Sequence, residues 1–176
     1  MKKTFLTKGL AVLTLLFSTL FFGQNITGKS AKITVDGTSP LHNWTMTSSS
    51  ATFSGSVSGS TISNVKFSMP AKNLKSTKGK MMDNKAYGAL KADKNPNISF
   101  SASSLSVGKS NLTGKLTIAG VTKTITLPVT VTQNANTYTI SGTQSLKMSD
   151  FGMETPGFMG VRTGDAVTVK INIVAN

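Results

Sequence analysis

The side chains able to do acid–base or metal chemistry are few in this sequence. His42, within GTSPLHNWTM (residues 37–46), is the only histidine, and there is no cysteine. A catalytic histidine needs an orienting carboxylate, a nucleophile or a metal beside it. One histidine without cysteine excludes the common His/Cys zinc sets. The six carboxylates are Asp36, Asp83, Asp93, Asp150, Glu154 and Asp165, and they form no DxDxDG calcium loop. Serine is abundant, yet no GxSxG elbow surrounds any of it. No catalytic residue and no metal ligand is therefore assigned. His42 is read as a turn or rim residue at a strand entrance after Pro40.

The bulky apolar residues offer a different chemistry, the solvation of hydrocarbon. Trp44, Met46, Phe53, Phe67, Met69 and Phe100 are large or flexible, and Phe151, Met153 and Phe158 form a second set in SDFGMETPGFMG (149–160). Methionine adapts to irregular surfaces and aromatics offer large contact areas. These nine are candidates to line a tunnel for a long chain, and they would equally fill a core. An amphiphile in such a tunnel would leave its head at an opening. Lys78, Lys80, Lys85 and Arg162, with His42, are the candidate rim residues, each having an ordinary role as a solvated surface group.

The elements that would position these residues are strands. Apolar and polar residues alternate in ITV (33–35), NWTMT (43–47), TISNVKFSMP (61–70) and NISFSASSLSV (97–107). They do so again in LTGKLTI (112–118), TITLPVTVT (124–132), TYTI (137–140) and VTVKINIV (167–174). A period of two marks strands with one apolar and one wet face. The wet face is largely Ser and Thr, which total 47 of the 176 residues. VSGST (57–61), VGKSN (107–111), QNANT (133–137) and RTGD (162–165) supply turns, so neighbouring strands should be antiparallel. Pro128, inside a strand pattern, predicts an edge, bend or bulge. Only residues 78–96 break the period. There Met82, Ala86 and Leu90 share a helical face, and Gly79, Gly88 and Pro96 keep the helix short. About eight strands with one helical crossover predict an all-β domain, either a sandwich or a closed barrel. An eight-stranded barrel can hold one small ligand, and alternation alone leaves open whether its interior is hollow or filled.

Residues 1–23 read as a secretory signal peptide. Lys2, Lys3 and Lys8 precede an uncharged apolar run at 10–22, and Gly23 follows. That run is shorter than the roughly 20 residues of a membrane-spanning helix. Residues 24–176 are then one exported domain, with the periplasm as the best fit and secretion as the other outcome. The net charge is +13, or +10 without the three leader lysines. Beyond the leader every basic residue except Arg162 is lysine. Arginine forks for reading bases are thus nearly absent, and nucleic acid is not an expected partner. The charge suits solubility, or transient contact with an anionic membrane surface. Oligomeric state is not legible.

Six ordered stretches carry a resemblance: SPLHNW (39–44), FSMPAKNLKS (67–76), MDNKAYGALKADKNPNISF (82–100), LTGKLTIAGVTKTITLPV (112–129), FGMETP (151–156) and VRTGDAVTVKI (161–171). With them the chain resembles the YceI-like, polyisoprenoid-binding family over nearly all of residues 24–176. The resemblance implies a lipocalin-like, eight-stranded antiparallel barrel with an apolar tunnel. It implies no catalytic cofactor and a bound polyisoprenoid, isoprenoid quinone or other long-chain lipid. Two other readings stand beside it: an enzyme acting on an amphiphile, and a structural or stress-related interaction barrel with a packed core.

Overall fold

The computed structural model describes residues 23–158 and 160–176, and the backbone alone at Phe158. The leader reading falls outside the described residues up to residue 22. The alternating segments become β1 (Gln24–Gly37), β2 (Trp44–Ser48), β3 (Thr52–Ser58), β4 (Thr61–Pro70) and β5 (Lys75–Ser76). They continue as β6 (Asn97–Ser106), β7 (Gly108–Ile118), β8 (Val121–Asn134) and β9 (Thr137–Lys147). A small hairpin, β10 (Gly157–Phe158) and β11 (Val161–Arg162), precedes β12 (Ala166–Ala175). All pairings are antiparallel, and the sheet closes where β1 meets β12, Ile33 facing Ile171.

The closed sheet is an eight-stranded barrel. β2 and β3 share one position in it. Both pair with the same edge of β1 in one register, Trp44 facing Gly37 and Val57 facing Gln24, so they are two halves of one bent strand. Closure leaves no long bare edge, which settles sandwich against barrel. Among the described residues, every pairing and both core clusters lie within residues 24–176. The outward Ser and Thr residues are put to use as well. Thr113 and Thr126 hydroxyls meet across β7 and β8 at 2.7 Å, and those of Thr117 and Thr122 at 2.8 Å, the cross-strand pairing that stabilises wet sheet faces.

Three local expectations change. The alternation did not mark β3, whose inward positions Phe53, Gly55 and Val57 have a glycine at the centre. The turn at 107–111 is tighter than expected, since Gly108 makes it with φ 98° and residues 109–111 already belong to β7. Pro128 lies within β8 opposite Asn111 of β7, with no register shift. On the other side the ladder to β9 runs from the turn only as far as Val129, which faces Gly142. β8 and β9 thus part company at the proline, which has no N–H to offer.

The barrel has two unlike ends. The far end holds the tight turns β3–β4, β6–β7 and β8–β9. There Ile26, Ile62, Leu105, Val131 and Ile140 are at most 2% exposed. The other end, the mouth, carries residues 38–43, the 71–96 crossover and the 148–165 segment. The crossover contains the one α-helix among the described residues, α1 (Lys80–Ala89). Along β12 the inward residues show the change: Ile173 is buried, Ile171 and Val169 are half-exposed, and Val167 is buried again.

Candidate functional site

The half-exposed inward residues surround a cavity. About 210 Å³ of it can be reached by the centre of a water-sized sphere. β1 and β12 contribute Ile33, Val35, Val169 and Ile171, and β7 contributes Leu116 and Ile118. α1 lies across the mouth with Met82, Ala86 and Ala89 turned into the cavity, followed by Leu90, so the helical face read from the sequence is the one that caps it.

Eight of the nine bulky candidates line this cavity: Trp44, Met46, Phe53, Phe67, Met69 and Phe100 from the strands, with Phe151 and Met153 from the mouth segment. The side chain of Phe158 lies outside the described residues. Two of the rings lie flat because the wall beside them is glycine. A Cβ on Gly37 would stand 2.1 Å from the Trp44 indole, and one on Gly114 would stand 2.3 Å from the Phe100 ring. The indole is further fixed by its N–H, which donates to Thr38 O at 3.2 Å.

The candidate rim residues all belong to mouth elements, but they separate. Lys85 lines the cavity, and its ammonium donates to Gly157 O at 3.0 Å. Arg162 shares an outer groove with Lys85 and donates to Thr155 O at 3.2 Å. His42, Lys78 and Lys80 are exposed and away from the cavity lining. The His42 backbone closes a turn with Ser39, whose hydroxyl donates to His42 O at 2.8 Å. Asp36, the carboxylate nearest His42 in sequence, accepts instead from Thr45 Oγ1 at 2.6 Å and Lys170 Nζ at 2.9 Å. The Thr45 hydrogen bond, then that of Lys170, holds its carboxyl below the usual range.

Beyond Trp44 and Lys85, the polar part of the lining was not read from the sequence. Apart from Trp44, only Lys85, Gln144, Lys147 and Thr163 among the described residues bring polar side chains to the cavity. Gln144 and Lys147 lie on the mouth half of β9, opposite Val169 and Ala166 of β12. Thr163 Oγ1 is buried without a hydrogen-bond partner among the described residues. Gln144 sits in phase with Ile140 and Leu146 on β9, so its in-facing position was recoverable from alternation; Thr163, in a loop, gave no such signal.

The 148–165 segment is tied down from several sides. Lys91 Nζ donates to Gly152 O at 2.9 Å, and Lys123 pairs with Asp150 at 3.5 Å. Asp165 accepts from the Ser149 hydroxyl at 2.6 Å and the Ser149 N–H at 2.8 Å. Those two bonds, hydroxyl first, hold the Asp165 carboxyl below the usual range. Among the described residues no three of His, Asp and Glu gather where a metal ion could sit. No described helix is long and apolar enough to cross a membrane.

A closed eight-stranded barrel with an apolar lumen and one capping helix is a cavity barrel of the lipocalin-like class. The YceI-like domain family matches residues 19–175, and the chain belongs to that family. In fold it is similar to the crystal structure of Burkholderia cenocepacia BcnA, at 24% identity and a TM-score of 0.69 over 83% of this chain and 96% of that one. It is also similar to a polyisoprenoid binding domain from Saccharophagus degradans implicated in plant cell wall breakdown, at 11% identity and a TM-score of 0.71 over 86% and 97%. A Campylobacter jejuni YceI protein aligns at 20% identity and a TM-score of 0.57 over 99% and 97%. At these identities the structural likeness is one of fold. No curated protein matches the chain in sequence.

Proposed function

We propose that this protein binds a long apolar chain, a polyisoprenoid, isoprenoid quinone or similar lipid, with the tail in the barrel and the head at the mouth. The observation that carries the reading is the cavity itself, a lumen left open between a packed far end and a capped mouth, with wall residues of hydrocarbon. Each CH₂ moved from water into it gains roughly 0.8 kcal/mol. About ten such groups would supply the ~8 kcal/mol of a micromolar complex, before the cost of association. No bond need be made or broken, and the task is storage or carriage. The fold likeness to a domain described as polyisoprenoid binding supports the same reading. The leader-like start fits an exported protein of the cell envelope, with the periplasm as its place of work.

The test is extraction of gently purified protein, followed by mass spectrometry against a delipidated control, and then reloading with a prenyl alcohol. Trp44 is the only tryptophan and lies in the cavity wall, so its emission should change on loading. Protein that carries no long-chain compound and leaves Trp44 emission unmoved by any added one would end this reading.

A further inference from the structure

Thr163 is placed as a donor that faces a guest. Its backbone is fixed, since its N–H donates to Pro156 O at 2.9 Å and the next N–H, of Gly164, donates to Thr38 O at 2.8 Å. The residue lines the cavity, and its hydroxyl is buried without a protein partner among the described residues. A buried hydroxyl left unpaired is destabilising, so the fold gains when something in the cavity meets it. We propose that Thr163 Oγ1 anchors an uncharged oxygen, hydroxyl or carbonyl, at the polar end of the ligand; this rests on the cavity-binding reading above. The basic net charge of the chain would suggest an anionic head, but the local groups oppose one. The Lys85 ammonium is held on Gly157 O. Lys147 is exposed and faces the field of Asp165. The mouth segment carries Asp150, paired with Lys123, and Glu154 and Asp165, against one cation, Arg162, whose guanidinium donates to Thr155 O. A buried anion needs dedicated pairing, whereas an alcohol or ketone needs only the hydroxyl already waiting, with the Gln144 amide as a second neutral group on the lining.

The experiment uses the purified protein, delipidated, and three C20 isoprenoid probes: phytol, its parent alkane phytane, and phytyl phosphate. Thr163→Val keeps the shape and removes the hydroxyl; Thr163→Ser keeps the hydroxyl. Thr163→Val should weaken phytol about three- to tenfold, the scale of one hydrogen bond, and leave phytane unchanged. Thr163→Ser should retain phytol binding. Without ligand, Thr163→Val should melt at a higher temperature than the parent, because the unpaired hydroxyl is gone. Phytyl phosphate should bind no tighter than phytol. Equal effects of Thr163→Val on phytol and phytane, or phosphate binding tighter than alcohol, would overturn the anchor while leaving cavity binding intact. A parent protein that binds none of the three overturns both.

A second inference stands on a different observation. Leu41 and Met81 are exposed large apolar side chains, at 69% and 59%. β2 and β5 are antiparallel neighbours, Met46 facing Ser76. Leu41 lies in the 38–43 connection before β2 and Met81 in the first turn of α1, after β5, so both belong to the mouth elements. His42, Lys78 and Lys80 flank them, and neither lysine has an ion pair among the described residues. The nearby Asp83 is buried, its carboxylate accepting from Ser76 N–H at 2.7 Å. Insertable apolar tips within a basic ring complement an anionic phospholipid surface, and we infer that the mouth docks there. The purified protein should float with vesicles of phosphatidylcholine and phosphatidylglycerol, less so as salt rises, and not with phosphatidylcholine alone. Leu41→Ser with Met81→Ser should abolish flotation while phytol uptake from ethanol is unchanged. Flotation that survives both changes overturns the inference. So does a dimer in size-exclusion chromatography that the double variant converts to monomer, which would make the patch a contact between copies.

Discussion

The far end of the barrel and its mouth are built from the same strands with the same alternation, yet one is solid and the other hollow. At the far end branched side chains meet at the axis: Ile26, Ile62, Leu105 and Val131 are at most 2% exposed. Glycines stand in the inward row at both ends, but at the far end Ile62 fills the space beside Gly55, whereas toward the mouth two of them face rings. Gly37 and Gly114 let the Trp44 and Phe100 rings lie along the wall, and Gly142 brings no side chain at all to the lining. The lesson is that a lumen is made by subtracting side chains from the inward row as much as by choosing apolar ones. Alternation sets which face is apolar; the sizes along that face set whether it closes.

This contrast can be broken at either end. The largest effect should come from the packed end. Ile62→Ala should cost about 2–5 kcal/mol in urea unfolding, and Ile171→Ala, on the half-empty side, well under half as much. Equal losses would mean that the two ends pack alike. Next is the flat-ring arrangement. A methyl on Gly114 would meet Phe100 at 2.3 Å and Ser101 O at 2.5 Å, so Gly114→Ala should cost about 1–3 kcal/mol and shrink the cavity for any probe lipid. The helical Gly88 has open space around its missing Cβ, and Gly88→Ala should stabilise by about 0.5–1 kcal/mol. Thermal melts of the two single variants give the signs directly.

The smallest effect concerns acid. The folded-state pKa of Asp165 is depressed, so its contribution is complete above the ordinary carboxylate value, about 4. That contribution is lost as pH falls through the lowered value. Hydrogen exchange in residues 148–165 should therefore lose protection below about pH 4, while strands of the far end keep theirs. Asp165→Asn should remove the acid dependence of that segment. Loss of protection at both ends together would show that the mouth segment is not a separate cooperative unit.

Much of this architecture was legible because it depends on period. The strands around Val65, Leu116, Leu127 and Ile171 follow from residues two apart, and the capping face of α1 from Met82, Ala86 and Leu90 four apart. β3 escaped because its centre is Gly55, which carries no hydropathy to count. The large lining residues were found by type, since bulk and softness are properties of a letter. Beyond Trp44 and Lys85, the polar lining was not found by type. Thr163 is one of many threonines, and what distinguishes it is a buried hydroxyl with nothing to hold, a fact of three dimensions. Pro128 lay between these cases. The letter announced an interruption, but only the register shows that it ends the ladder with β9 and leaves the one with β7 whole.

The seam between β1 and β12 has a consequence for the order of assembly. It joins Ile33 to Ile171, across almost the full span of the chain, so no partial product can complete the ring. Until the final strand arrives, the growing polypeptide has two raw margins and an unsealed oily trough. Contacts between such distant residues form slowly, and in the meantime such margins invite pairing with other chains.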